Sequence, residues 1–212
     1  DGAAAGVGKA HLFGVSMGGF IAQLVATRHP SRVASLVLGC THHGGPGHID
    51  VPRTYRQLLK SEPPRGPTVS AWRAWLRYTR ASLAFNFAPR FPEIQPTRFA
   101  RMLDAFVRAE LSHPAGGKEG QMDGITRFLD RGIRAELPRV AAAVLILHGT
   151  EDQIIPVENA ELLAAALPVA EVALLSGLGH MFWDEDPDRA ASAIATFVRH
   201  HDVAPANMTS RL

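Results

Sequence analysis

Residues 10–19 read Ala-His-Leu-Phe-Gly-Val-Ser-Met-Gly-Gly, and this stretch decides the fold. Ala10 to Val15 is a short apolar run that predicts a buried strand. It leads into Gly14-Val15-Ser16-Met17-Gly18-Gly19, after which Phe20, Ile21, Leu24 and Val25 recur at helical spacing over Met17 to His29, and Pro30 then ends the helix. So abrupt a change from strand to helix leaves Ser16 on a strained backbone. Side chains beside it would collide, which gives the glycines at 14 and 18 a steric reason. The turn holds the Ser16 hydroxyl outward and aims the Met17 N–H at a substrate oxygen, at a helix N-terminus whose dipole favours developing negative charge. The rival reading is a phosphate-binding or merely packed glycine turn.

Working outward, Val33 to Cys40 is a second apolar run, which completes a strand-helix-strand unit. Ala143 to Leu147 and Glu171 to Leu175 repeat the strand pattern, with a helix predicted over about residues 157–167 between them and another over 187–200. Alternating strands and helices predict an α/β fold, a parallel sheet of about four strands with helices on both faces. Residues 44–138 break that rhythm with prolines and helix-like stretches at 71–83, 97–111 and 120–134, which predicts a helical cap inserted over one end of the sheet. The expected organisation is a first core part at 1–43, the cap at 44–138, a second core part at 139–202 and a tail at 203–212.

A serine hydroxyl needs a base to take its proton, and the base needs an acid to hold its tautomer and stabilise its cation. His148-Gly149-Thr150-Glu151-Asp152 follows the third strand, and Gly177-Leu178-Gly179-His180 follows the fourth. Asp152 and His180 therefore join Ser16 at strand ends, where ligands of open α/β sheets bind. Glu151 is the rival acid. Taken singly, an acid after a strand is often a helix cap and a loop histidine is usually solvated; together, the chain order Ser, Asp, His points to one catalytic set.

Gly-Val-Ser-Met-Gly-Gly (14–19), His-Gly-Thr-Glu-Asp-Gln-Ile-Ile-Pro (148–156) and Gly-Leu-Gly-His-Met-Phe-Trp-Asp-Glu-Asp-Pro (177–187) resemble the nucleophile turn, acid loop and histidine loop of the α/β-hydrolase superfamily. The family pattern places the acid at Asp152 and leaves Glu151 facing solvent. Thr41-His42-His43-Gly44-Gly45-Pro46 is similar to ester and enol-lactone hydrolases of the 3-oxoadipate enol-lactonase type, and also to cofactor-free haloperoxidases. A serine nucleophile disfavours the haloalkane dehalogenase branch, whose nucleophile is an aspartate. The resemblance implies a hydrolase of a small-molecule carboxylic ester or lactone, with an acyl-enzyme on Ser16 and no cofactor. The alternatives are a cofactor-free perhydrolase- or haloperoxidase-type activity on the same triad, or a non-catalytic truncated remnant or interaction module that keeps the triad by descent. The family sheet normally has eight strands, and those found here resemble its last four, so the chain, which starts at Asp1, is expected to be N-terminally truncated. The second oxyanion donor then has no counterpart, a loss of roughly 10²- to 10³-fold in rate. The first strand would also expose a hydrogen-bonding edge through which the chain could self-associate.

Composition fits this reading and excludes others. With 212 residues, 46% hydrophobic and 20% charged, the chain has the makeup of a globular domain rather than a disordered one. No apolar run approaches the roughly 18 residues of a membrane span. The one cysteine, Cys40, closes a strand and predicts a buried, inert thiol suited to the cytoplasm. Net charge is +2, but residues 53–139 hold 16 basic and 8 acidic residues, a local +8. Those arginines are spread through helical patterns without glycine and aromatic interleaving, which argues against nucleic acid and for solvated helix faces. His42, His43 and His48 lack a cysteine or carboxylate at zinc-ligand spacing and are expected to be ordinary loop residues. Trp72, Trp75 and Phe85 are expected to pack cap helices or line a pocket. The C-terminal Ser-Arg-Leu is one change from a peroxisomal tripeptide.

Overall fold

The structure, a computed structural model, describes residues 8–63, 65–112 and 117–201. Four strands, β1 (Ala10–Val15), β2 (Val33–Gly39), β3 (Ala143–Gly149) and β4 (Ala170–Leu175), form one parallel sheet in the order β1-β2-β3-β4. The register sets Leu12 beside Leu36, Leu36 beside Val144 and Ile146 beside Val172. Side chains alternate along a strand, so Leu36, Leu38, Val144 and Ile146 enter one apolar cluster while Val37, Leu145 and Leu147 enter another. Helices α1 (Met17–Arg28) and α7 (Asn159–Ala164) close the first cluster with Ala22, Ala26, Ala160 and Leu163. Helices α8 (Phe182–Glu185) and α9 (Pro187–His200) close the second with Phe182, Ala190 and Phe197. The sequence thus forms the expected parallel sheet covered on both faces. Leu36, Leu38, Ile146 and Leu147 are fully buried, and each such side chain stabilises the fold by about 1.5–3 kcal/mol.

Among the described residues β1 has a single neighbour, β2, and is therefore a sheet edge. Its apolar character is only half used, since Phe13 remains 49% exposed.

Among the described residues five α-helices lie between β2 and β3: α2 (Arg53–Lys60), α3 (Val69–Ala84), α4 (Phe91–Ile94), α5 (Pro96–Ser112) and α6 (Gly117–Arg131). Three of them match the helices read from periodicity; α2 and α4 were not expected. Helix α3 starts where the Thr68 hydroxyl accepts the Ala71 N–H at 3.2 Å, an ordinary cap. The segment has its own apolar cluster of Leu83, Phe87, Phe91 and Phe99, in which Phe87 stacks on Phe91 at 4.7 Å. Trp75 is buried against the edge of Trp72 within α3, while Phe85, at the end of α3, meets Tyr55 and packs α3 on α2. The segment leaves and rejoins the sheet at adjacent points: Cys40 N–H donates to Leu147 O, Gly45 N–H to Leu129 O and Ile133 N–H to His43 O, each at 2.8 Å. No helix among the described residues is long and apolar enough to cross a membrane. The expected tail at 203–212 lies outside the described residues.

Candidate active site

In a parallel sheet every strand ends at the same edge, so the loops after β1, β3 and β4 bring Ser16, Asp152 and His180 to one side of the molecule. Ser16 has φ 54° and ψ −121°, and among the described residues only it and Cys40 combine a side chain with positive φ. Such a backbone costs on the order of 1–3 kcal/mol and persists only if its neighbours impose it. They do so here: Ser16 N–H donates to Gly39 O at 2.9 Å, and Ser16 O accepts from Gly19 N–H and from the Thr41 hydroxyl, both at 2.9 Å. A serine before a helix normally turns its oxygen back to cap the first N–H groups. Ser16 makes no such bond, which leaves its hydroxyl uncommitted. Met17 opens α1, where backbone N–H groups have no partner within the helix.

The steric reading of the flanking glycines needs one correction. A side chain at Gly14 would overlap the Gly18 carbonyl, as expected, but one at Gly18 would meet nothing within 4 Å. The tight position is Gly19, whose added Cβ would lie 2.6 Å from Thr41 Oγ1 and 2.7 Å from Thr41 Cβ. Helix α1 packs against the loop after β2 through Gly19, so the constraint comes from a residue far along the chain.

His180 is 5% exposed, and its Nδ1 lies 2.7 Å from Asp152 Oδ2. A carboxylate can only accept, so Nδ1 carries the proton and Nε2 is left with the lone pair a base requires. Asp152 Oδ1 accepts the N–H groups of Ile154 and Ile155 at 2.8 and 2.9 Å. Burial raises the Asp152 carboxyl, but the His180 imidazole and the hydrogen bonds from His148 and His180 outweigh it and hold the group well below the usual carboxylate range. Glu151 is exposed, as expected of the rejected acid. Among the described residues no hydrogen bond joins the Ser16 hydroxyl to His180; such bonds are often long without substrate and tighten when it binds.

The sequence did not single out His148 or Thr41. His148 is fully buried, donates from Nε2 to Ile155 O at 2.9 Å and sits 3.4 Å from Asp152 Oδ2, giving the acid a second imidazole neighbour. Its only local signal is a spacing of four residues from Asp152. Cys40, His148 and Asp152 place one potential ligand atom each within 4.8 Å of one another. Burial, with Asp152 second, pushes the Cys40 thiol far up, so it stands beside the acid as a neutral thiol. His42 and His43 lie in the loop after β2, as expected, and are buried there. His42 Nδ1 accepts the Gly44 N–H at 2.9 Å and its ring stacks on His48 at 4.4 Å. Burial first, then the neighbouring histidines, bring His42 down to about 3.

Comparison with known proteins agrees with this architecture. The 2-hydroxy-6-oxononadienedioate/2-hydroxy-6-oxononatrienedioate hydrolase 1 of Dechloromonas aromatica is 28% identical over 93% of the chain and 64% of its own length. A 2-hydroxymuconate semialdehyde hydrolase from a Pseudomonas species is 30% identical over 92% of the chain and 64% of its own length. The chain thus spans a little under two thirds of these relatives. A solved meta-cleavage product hydrolase from Pseudomonas fluorescens superposes with a TM-score of 0.71, at 21% identity, over 94% of the chain and 68% of that protein, a likeness of fold. The model of the alpha/beta hydrolase fold matches residues 3–187, and the chain belongs to that family.

Proposed function

We propose that the protein hydrolyses a small-molecule carboxylic ester or lactone through an acyl-enzyme on Ser16. The observation that carries this reading is the 2.7 Å bond from His180 Nδ1 to a buried Asp152, at the same sheet edge as a strained serine whose hydroxyl caps nothing. Ser16 Oγ attacks the carbonyl carbon while His180 Nε2 takes its proton, Asp152 steadies the imidazolium, and the Met17 N–H holds the oxyanion. Collapse returns the proton to the leaving oxygen, and water repeats the cycle to release the acid. The helices between β2 and β3 act as the cap, and the single buried Cys40 thiol fits a cytoplasmic protein.

The names of the relatives support a second reading. Two of them are hydrolases of oxo acids, which favours cleavage of a C–C bond in this protein, whereas a third, the poly(3-hydroxyalkanoate) depolymerase of Ectopseudomonas oleovorans, 28% identical over 91% of the chain, acts on a polyester and favours the C–O bond of the first reading. The local +8 of residues 53–139 favours an anionic substrate in either case.

Turnover of short p-nitrophenyl esters and of an oxo-dienoate by the full-length protein separates the two readings. In both, Ser16→Ala and His180→Ala are expected to lower turnover by roughly 10³-fold or more, with Asp152→Asn close behind. Ser16→Ala should also abolish labelling by a fluorophosphonate. Near-normal turnover in Ser16→Ala means that the nucleophile is elsewhere.

A further inference from the structure

Glu185, the last residue of α8, gathers donors from two parts of the chain. Its Oε1 accepts the Gly179 N–H at 2.7 Å and the Ala88 N–H at 3.1 Å, and Oε2 lies 3.3 Å from the same Ala88 nitrogen. Gly179 immediately precedes the candidate base; Ala88 lies in the turn between α3 and α4. That turn makes two further bonds to the catalytic loops. Met181 N–H donates to Asn86 O at 2.7 Å, and the Gln153 side chain, next to Asp152, donates to Phe87 O at 2.8 Å. The turn is itself fixed, with Phe87 fully buried between Phe91 and Phe99. The approach is close enough that a Cβ on Gly179 would overlap the backbone of Phe87 and Ala88.

We propose that Glu185 is a positioning residue that fastens the His180 loop to residues 86–88, so that the helical segment, and not the sheet alone, sets where the candidate base points. The inference rests on the reading of His180 as base. The loop leaves β4 through Gly177 at φ 78°, a residue with no side chain to hold it, so its course is set by what it is bonded to further on. A carboxylate suits the task, since hydrogen bonds to an ionised acceptor are stronger than neutral ones. It is held at a disadvantage: burial, then Glu151 and Asp152, push the group up to about 7 in spite of the two N–H donors. The other charged groups nearby are Arg98 of α5, whose guanidinium donates to Glu185 O at 3.2 Å, and Arg90, which with Glu185 lines a cavity of about 320 Å³. That cavity gives solvent protons access to the carboxylate.

The test uses the full-length protein, a p-nitrophenyl ester and amide NMR. Glu185→Ala is expected to lower kcat roughly 10- to 100-fold with KM within about threefold, because a base displaced by about 1 Å loses on that scale. Glu185→Gln, whose carbonyl oxygen can accept both N–H groups, should rescue kcat to within about threefold. In the parent the Gly179 amide resonance should titrate with a midpoint near 7, and in Glu185→Gln that titration should vanish. A kcat in Glu185→Ala within about threefold of the parent, a failure of Gln to rescue, or a Gly179 titration that survives Glu185→Gln each overturn the inference. The amide titration is read without turnover, so it stands even if Ser16→Ala were to refute the proposed chemistry.

Discussion

Adding one methyl group at each of two adjacent glycines should have opposite effects. Gly18 and Gly19 both lie in the first turn of α1, where alanine is favoured over glycine by up to about 1 kcal/mol. At Gly18 the methyl meets nothing within 4 Å, so Gly18→Ala should be neutral or stabilising by up to that amount. At Gly19 it comes within 2.7 Å of three Thr41 atoms. Thr41 has nowhere to retreat, being fully buried and donating to Ser16 O. Overpacking of this kind costs about 1–3 kcal/mol, and loss of the Thr41 hydrogen bond about 1 kcal/mol more. Set against the helix gain, Gly19→Ala should destabilise by about 1–3 kcal/mol, which separates the two variants by about 3 kcal/mol. For a chain of this size that is roughly 6–12 °C in melting temperature. Thermal melts followed by circular dichroism decide it, with ester turnover as a second readout because Thr41 supports the strained Ser16 backbone. If Gly19→Ala melts at or above Gly18→Ala, Thr41 does not buttress the turn, and the account of how the serine is held must be withdrawn.

Two further outcomes follow from burial and from the sheet edge. His42 titrates at about 3 when folded against an ordinary 6.5, so its contribution is full above pH 6.5 and falls as the pH drops, reaching a loss of about 2 kcal/mol at pH 5. Glu185, raised rather than lowered, acts in the opposite sense, its contribution being lost as pH rises from its ordinary 4.5 through 7. The two offset each other in the parent, so urea unfolding should show less acid sensitivity in His42→Asn, which can accept the Gly44 N–H without titrating, and more in Glu185→Gln; identical pH profiles in all three proteins would discount both groups. Exposed β1 with its uncovered Phe13 should make the 212-residue chain self-associate as concentration rises, and Phe13→Lys should reduce this in light scattering; a parent that stays monomeric at all concentrations would show that the edge is already protected.

The sheet was legible because its inner strands, β2 and β3, are buried on both faces and read as nearly unbroken apolar runs; the bounds of β1 and α9 agree with the sequence to the residue. Helix α2 was not legible for the converse reason, since none of its residues is buried and no core imposes a period on it. Helices α4 and α8 span four residues each, too few for any period. The strand-end motifs could be placed because chain order and strand position are local information. What holds them was invisible, because the partners are remote: Thr41 on Ser16 across 25 residues, Gln153 on Phe87 across 66, Glu185 on Ala88 across 97. The error at Gly18 has the same origin. A glycine pair signals that one position is crowded, and only the fold says which.

The helical segment hangs from the sheet as if from a single hook. Its two ends are tied to each other by Cys40 to Leu147 and by His43 to Ile133, so the sheet registers the segment as one closed excursion, whatever its contents. The entropy of closing such an excursion grows only with the logarithm of its length, about 0.6 kcal/mol for each doubling. Residues can therefore be added, removed or exchanged inside it with little effect on the strands beneath. The exceptions are its two ends, where Ile49 bonds Asn159 of α7, Phe128 stacks on Phe20 of α1 and Ile133 and Leu137 enter the core under the sheet, and the short turn at 86–88, which touches the loops that carry Asp152 and His180. A graft that replaced the segment to change what the protein accepts should carry that turn over unchanged, or the new specificity would arrive with a misplaced His180.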